Sequence, residues 1–91
     1  MNNNAEYSAI EAKHLEFADA RGAEKTYCPS EVARHLFPKH WRDKMDDVRA
    51  VADDLFKKDI LIISQFGKDL KTLPTKVKGH IRLRKNYKFK K

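Results

Sequence analysis

Cysteine occurs once in the sequence, at Cys28. That excludes an intrachain disulfide and fits a reducing, cytoplasmic setting. Long apolar runs are also missing. The longest, Ile60 to Ile63, falls far short of the roughly 20 residues that cross a bilayer, so no membrane association is expected. The opening MNNNAEYS has no basic n-region and no apolar h-region, so it does not read as a signal peptide. No internal repeat is visible. At 91 residues the chain allows one domain and no interdomain cleft. Acid is scarce in the last third: residues 60–91 hold 10 Lys+Arg against Asp69 alone, while residues 1–59 hold 10 against 12 Asp+Glu. A near-neutral body thus carries a basic C-terminal third, suited to phosphates or an acidic surface.

What is present is mostly helical. Met1 to Asn4 is expected to be disordered. Tyr7, Ile10, His14 or Leu15, and Phe17 fall near one face of a helix over about Ala5 to Ala20. Gly22 suits the left-handed position that ends it. Lys25-Thr26-Tyr27 reads as a short strand. A second helix starts at Cys28-Pro29-Ser30-Glu31, with proline in the first turn and Glu31 placed to complete a capping box. Val32, Ala33 and Leu36 form its buried face, and Pro38 ends it. A third helix is expected from Lys39 or His40 to Lys58. Trp41, Met45, Val48, Ala52 and Leu55 lie within about 80° on its wheel, with Trp41 as a core anchor.

Ile60 to Ile63 is strand-like, Phe66 to Asp69 a turn, and Leu70 to Lys78 polar and irregular. His80 to Arg84 alternates, with Ile81 and Leu83 on one face. This order predicts an α+β fold: a small winged helix-turn-helix, three helices plus a C-terminal β-hairpin wing. The domain spans residues 5–84, and residues 85–91 form a basic tail. The wing lies near Gln65 to Lys78.

The residues that carry a family likeness are Cys28-Pro29-Ser30-Glu31-Val32-Ala33-Arg34, then Trp41-Arg42, Met45 and Val48-Arg49, and the closing Ile81-Arg82-Leu83. From about Ile10 to Arg84 the chain resembles a small bacterial winged-helix-like family of unknown function, DUF3253. The resemblance implies the fold and supplies no activity. His80 stands where that pattern expects proline before the last strand, and Lys85–Lys91 looks like an extension of this chain.

The third helix poses a puzzle, because it sits where a DNA-reading helix would lie yet carries five aspartates between Asp43 and Asp54. Arg42, Asp46, Arg49, Asp53 and Lys57 read as an alternating-sign ladder along one edge. Asp43, Asp47 and Asp54 read as an outer face that would meet phosphates repulsively. Nucleic-acid contact is therefore expected at the helix start, through Lys39, His40, Arg42 and Lys44, and through the wing and tail. The wing supplies Lys68, Lys71, Lys76, Lys78, Arg82 and Arg84. The tail supplies Lys85, Lys88, Lys90 and Lys91, interleaved with Tyr87 and Phe89, aromatics that can stack on unpaired bases.

No enzyme is expected. Cys28 has no base within reach: His35 is two turns away. The C-x6-H-x4-H spacing of Cys28, His35 and His40 is not a zinc pattern. Gly22 to Thr26 lacks a phosphate-loop spacing. Glu31 and Arg34 read as a structural pair, and His14 and His80 as lone histidines. No metal or cofactor is expected. The leading expectation is a non-enzymatic nucleic-acid-binding protein, an accessory regulator. The alternative is a protein-interaction module that uses the acidic face of helix three and Trp41.

Overall fold

The computed structural model describes residues 4–88; the disorder expected at Met1 to Asn3 and the tail residues Phe89, Lys90 and Lys91 lie outside them. Asn4 itself begins helix α1, Asn4–Arg21. Helix α2 covers Pro29–Leu36, a 3-10 turn covers Trp41–Lys44, and helix α3 covers Met45–Lys57. Strands β1 (Leu61–Gln65), β2 (Lys68–Leu70) and β3 (Arg82–Lys85) follow, with a second 3-10 turn at Pro74–Lys76. The strands make one antiparallel sheet of order β2-β1-β3. The architecture is α+β, three helices with a C-terminal sheet, and is compatible with a small winged helix-turn-helix.

Local chemistry sets the element ends. Gly22, at φ 75°, closes α1 by donating its N–H to the Ala18 carbonyl. The capping box at Cys28 forms: the Cys28 N–H donates to Glu31 Oε2 at 2.8 Å. Pro38 stops α2 but does not lead directly into α3. Trp41 to Lys44 first make a tighter turn, so α3 starts later than the periodicity predicted. At its other end the Ile60 N–H bonds the Leu55 carbonyl and the Asp59 N–H bonds the Phe56 carbonyl. This is a Schellman cap with Asp59, at φ 62°, in the place glycine usually fills.

The core gathers Ile10, His14 and Ala18 of α1, Val32 and Ala33 of α2, and Val48, Val51, Ala52 and Leu55 of α3. Leu61, Ile63, Ile81 and Leu83 face them from the sheet side. The predicted first strand shrinks to one bridge, Tyr27 opposite Leu83, which adds an edge to the sheet beside β3. Tyr27 is fully buried, stacked on Phe17 at 5.7 Å.

Trp41 packs against the core as expected but is not buried in it. It is half-buried at the margin, with the Arg34 and Arg42 guanidiniums 4.3 and 4.8 Å from its ring centroid. From the start of the 3-10 turn it packs against the edge of the core, while Val48, Ala52 and Leu55 are buried within it. His14 is not a lone histidine; it is buried and doubly hydrogen-bonded, to Tyr27 and Val48. Nor is Arg34 the partner of Glu31. Arg21 is, at 2.6 Å, and its fork ties the end of α1 to the start of α2. That fork holds the Glu31 carboxyl below its usual range.

Candidate nucleic-acid interface

The wing begins where β1 turns into β2. Gln65 pairs with Lys68, so only Phe66 and Gly67 make the loop. Both have positive φ, 53° and 79°, as a type I′ turn requires. Gly67 fits that geometry without strain; Phe66 does not. Phe66 is 93% exposed.

From β2 the chain returns to β3 through the irregular connection expected, interrupted only by the Pro74–Lys76 turn, and that connection is braced. Arg49 of α3 donates to the Val77 carbonyl at 2.9 Å and the Gly79 carbonyl at 2.6 Å. Asp53, one turn on, accepts from the Thr75 N–H at 3.0 Å and its hydroxyl at 2.6 Å. Gln65 of β1 donates its side-chain amide to the carbonyls of Lys78 and His80 at 2.7 and 3.1 Å. Three side chains thus fix the backbone that carries Lys76 and Lys78. The price of bracing is that the expected ladder along α3 does not form, because Arg49 and Asp53 turn to the wing instead.

The other aspartates of α3 resolve just as locally. Asp54 is not on the outer face: it accepts from the Tyr7 hydroxyl at 2.6 Å, which pushes the Tyr7 pKa up to about 12. Asp46 and Asp47 occupy the first turn of α3, where negative charge favours the helix dipole. Asp43, Asp46 and Asp47 are exposed and make no ion pair among the described residues. The negative charge of α3 is therefore concentrated around its N-terminus, the end a reading helix would present.

The expected cations divide into two groups. Lys44 is tied to both Glu6 carboxylate oxygens at 3.0 and 3.1 Å. Arg82 is on the Thr26 hydroxyl and carbonyl, Arg84 on Asp69, and Lys85 on Asp19. By contrast Lys39, Lys68, Lys71, Lys76 and Lys78 are exposed, with no ion pair among the described residues. Arg42 is exposed too, its guanidinium over Trp41. Asp69 is the only acid after residue 59, and Arg84 grips both its oxygens at 2.7 and 2.9 Å. The wing face consequently shows uncompensated lysines.

Wing and tail do not form one patch. β3 runs back along β1, with Arg82 opposite Ser64 and Lys85 opposite Leu61. Asn86 then bonds the Ile60 and Asp59 carbonyls. Tyr87, 67% exposed, and Lys88 therefore leave at the end of the sheet away from the wing tip. The four steps of β1 alone separate the ends by about 13 Å. Phe89, Lys90 and Lys91 lie outside the described residues.

The model of the family described as a protein of unknown function, DUF3253, matches residues 7–86. The chain belongs to the DUF3253 family. The match covers the whole braced unit, from Tyr7 on α1 to Asn86 at the end of the sheet. No curated protein matches the chain. In this DUF3253 domain no group of three His, Cys, Asp or Glu among the described residues could hold a metal ion. No helix among them is long and apolar enough to cross a membrane.

Phe66 and the braces Arg49, Asp53 and Gln65 were missed by sequence reasoning. The Phe66-Gly67 pair carried a signal, since a residue before glycine in a two-residue hairpin loop must accept positive φ. The braces carried none, because their partners lie 13 to 30 residues away: backbone carbonyls for Arg49 and Gln65, and the N–H and hydroxyl of Thr75 for Asp53.

Proposed function

We propose that this domain is a non-enzymatic nucleic-acid-binding module, an accessory regulator of a reducing cytoplasm, that contacts phosphates through its wing rather than through α3. The observation that carries this reading is the set of exposed lysines Lys68, Lys71, Lys76 and Lys78 on a braced wing whose one acid, Asp69, is held by Arg84. The braced backbone around Lys76 and Lys78 loses little freedom when these lysines meet phosphates, and each lysine engaged releases counterions. Lys39 and Arg42 extend the contact toward the start of α3. The aspartates there oppose the usual insertion of that helix into a groove. The tail, with Tyr87 and Lys88, adds a separate contact at the far end of the sheet.

The test is a salt series of binding to labelled DNA and RNA. Engagement of four phosphates gives a slope of log affinity against log salt of about −3 to −4. No binding at low salt in micromolar titrations rejects the reading.

A second reading is supported by a different surface. Leu36, Phe37 and Pro38 line a shallow open groove beside His40 and Asp43, next to half-exposed Trp41. The rim of this apolar groove carries both signs, Asp43 against Lys39 and Lys44, and the exposed Asp46 and Asp47 of the next turn add the negative charge that suits a basic, apolar protein segment. Loss of such a partner on changing Asp43 and Asp47, with no salt-dependent nucleic-acid binding, favours this reading.

A further inference from the structure

We propose that Phe66 is a base-stacking residue, and that the wing therefore prefers nucleic acid with unpaired or easily unstacked bases over regular duplex. The inference rests on the nucleic-acid reading above and names the substrate class of the same wing.

Folding alone does not account for Phe66. The ring is 93% exposed, so it contributes almost nothing to the core. Its backbone sits at φ 53°, a conformation that asparagine, aspartate or glycine adopts more readily than an aromatic residue. The turn thus presents a large apolar ring to water from a disfavoured backbone. Strain of this kind, where packing gives no return, points to contact with something outside the chain.

The surroundings indicate the chemistry of that contact. Gln65, the residue before the ring, is paired with Lys68 and holds the carbonyl of Lys78. Both lysines therefore flank the tip, and both are exposed. The nearest acid along the hairpin, Asp69, is locked to Arg84. A projecting aromatic between uncompensated cations matches a base face with its flanking phosphates: the ring stacks while the lysines hold the backbone. A regular duplex offers no free base face to a ring at the tip of a two-residue loop. A single strand, a bulge or a junction does.

The experiment compares wild type with Phe66→Asn and Phe66→Trp on a labelled oligothymidine strand and on a blunt duplex of equal length, by fluorescence anisotropy. A single strand carrying 2-aminopurine reports stacking directly by quenching. Asparagine before glycine suits the turn, so Phe66→Asn melts at or above the wild-type temperature. It binds the single strand about tenfold more weakly or worse, changes duplex binding by less than about twofold, and no longer quenches 2-aminopurine. Phe66→Trp keeps the wild-type single-strand affinity, duplex affinity and 2-aminopurine quenching. Unchanged single-strand affinity in Phe66→Asn overturns the inference while salt-dependent binding leaves the lysine reading standing. Equal weakening on strand and duplex also overturns it, since the residue would then support the wing as a whole. Wild type that binds neither probe removes both readings.

Discussion

His14 and Tyr27 share a buried hydrogen bond of 2.9 Å, between Nδ1 and the phenol oxygen. The other ring nitrogen, Nε2, lies 2.9 Å from the Val48 carbonyl, which can only accept. Nε2 therefore carries the proton, and Nδ1 accepts from the tyrosine hydroxyl. One neutral tautomer thus satisfies three buried groups and links α1, the edge bridge at Tyr27 and α3. Burial depresses the His14 pKa to about 4.

The sign of the pH effect follows. Between about 4 and the ordinary 6.5 the unfolded chain takes up a proton at His14 that the folded chain does not. This contribution is fully present above pH 6.5 and disappears as pH falls toward 4, an effect on the order of 3 kcal/mol. Urea titrations across this window should show that decline in wild type. His14→Gln should be less stable near neutrality and much flatter through the window. The carboxyls of Glu31 and Asp69, both held below their usual range, lose their contributions only in more acid solution. A flat wild-type profile would show that His14 titrates as if exposed.

Trp41 gives a second measurable outcome. A fully buried aromatic truncated to alanine costs about 3–5 kcal/mol. Trp41 is only half-buried, so Trp41→Ala should cost about 1–3 kcal/mol, read from the shift of a urea midpoint at constant slope. It is also the sole tryptophan, so its emission reports the guanidiniums stacked on it. Arg34→Gln with Arg42→Gln should alter that emission and leave the melting temperature nearly unchanged. A loss near the upper end of the buried range would place the indole in the core after all.

Much of the fold was legible because it depends on neighbours in sequence. The wheel of Val48, Ala52 and Leu55, the Glu31 cap on Cys28 and the position of Gly22 are short-range patterns, and each appears in the structure. What was not legible depends on distant partners. Arg49 and Asp53 made a plausible helical ladder, yet carbonyls and an N–H on residues 74–79 compete for them and win. The bracing of the wing could not be read from spacing for that reason. Arg84, counted among the available cations, found Asp69 across the sheet. His14 lay beside Leu15 on the wheel, and only the phenol of Tyr27 shows why the polar residue faces inward.

The cap at the end of α3 offers a stabilising change. Asp59 holds φ 62° in a Schellman motif, where glycine avoids the steric penalty of a side chain. Its side chain makes no hydrogen bond or ion pair among the described residues. Asp59→Gly should therefore stabilise the domain by up to about 1 kcal/mol, a rise of a few degrees in melting temperature for a chain of this size. A fall instead would mean that the aspartate's tolerance of this backbone outweighs the relief.

Arg49 decides between a helical ladder and a wing brace. A ladder partner contributes roughly 0.2–0.5 kcal/mol and acts only on helix stability. As a brace, Arg49 satisfies carbonyls of residues 77 and 79 with a charged donor. Arg49→Met keeps much of the aliphatic stem and removes those bonds. It should cost about 1–3 kcal/mol. It should also free the backbone around Lys76 and Lys78, so hydrogen exchange at residues 75–80 should rise more than in α3. Nucleic-acid affinity at low salt should fall further than one lost positive charge explains, because the wing lysines lose their fixed spacing. Arg49→Lys, which keeps the charge without the fork, should retain the long-range attraction yet show the same rise in exchange. If Arg49→Met leaves exchange over residues 75–80 unchanged, the wing is held by Asp53 and Gln65 alone, and Arg49 is no brace.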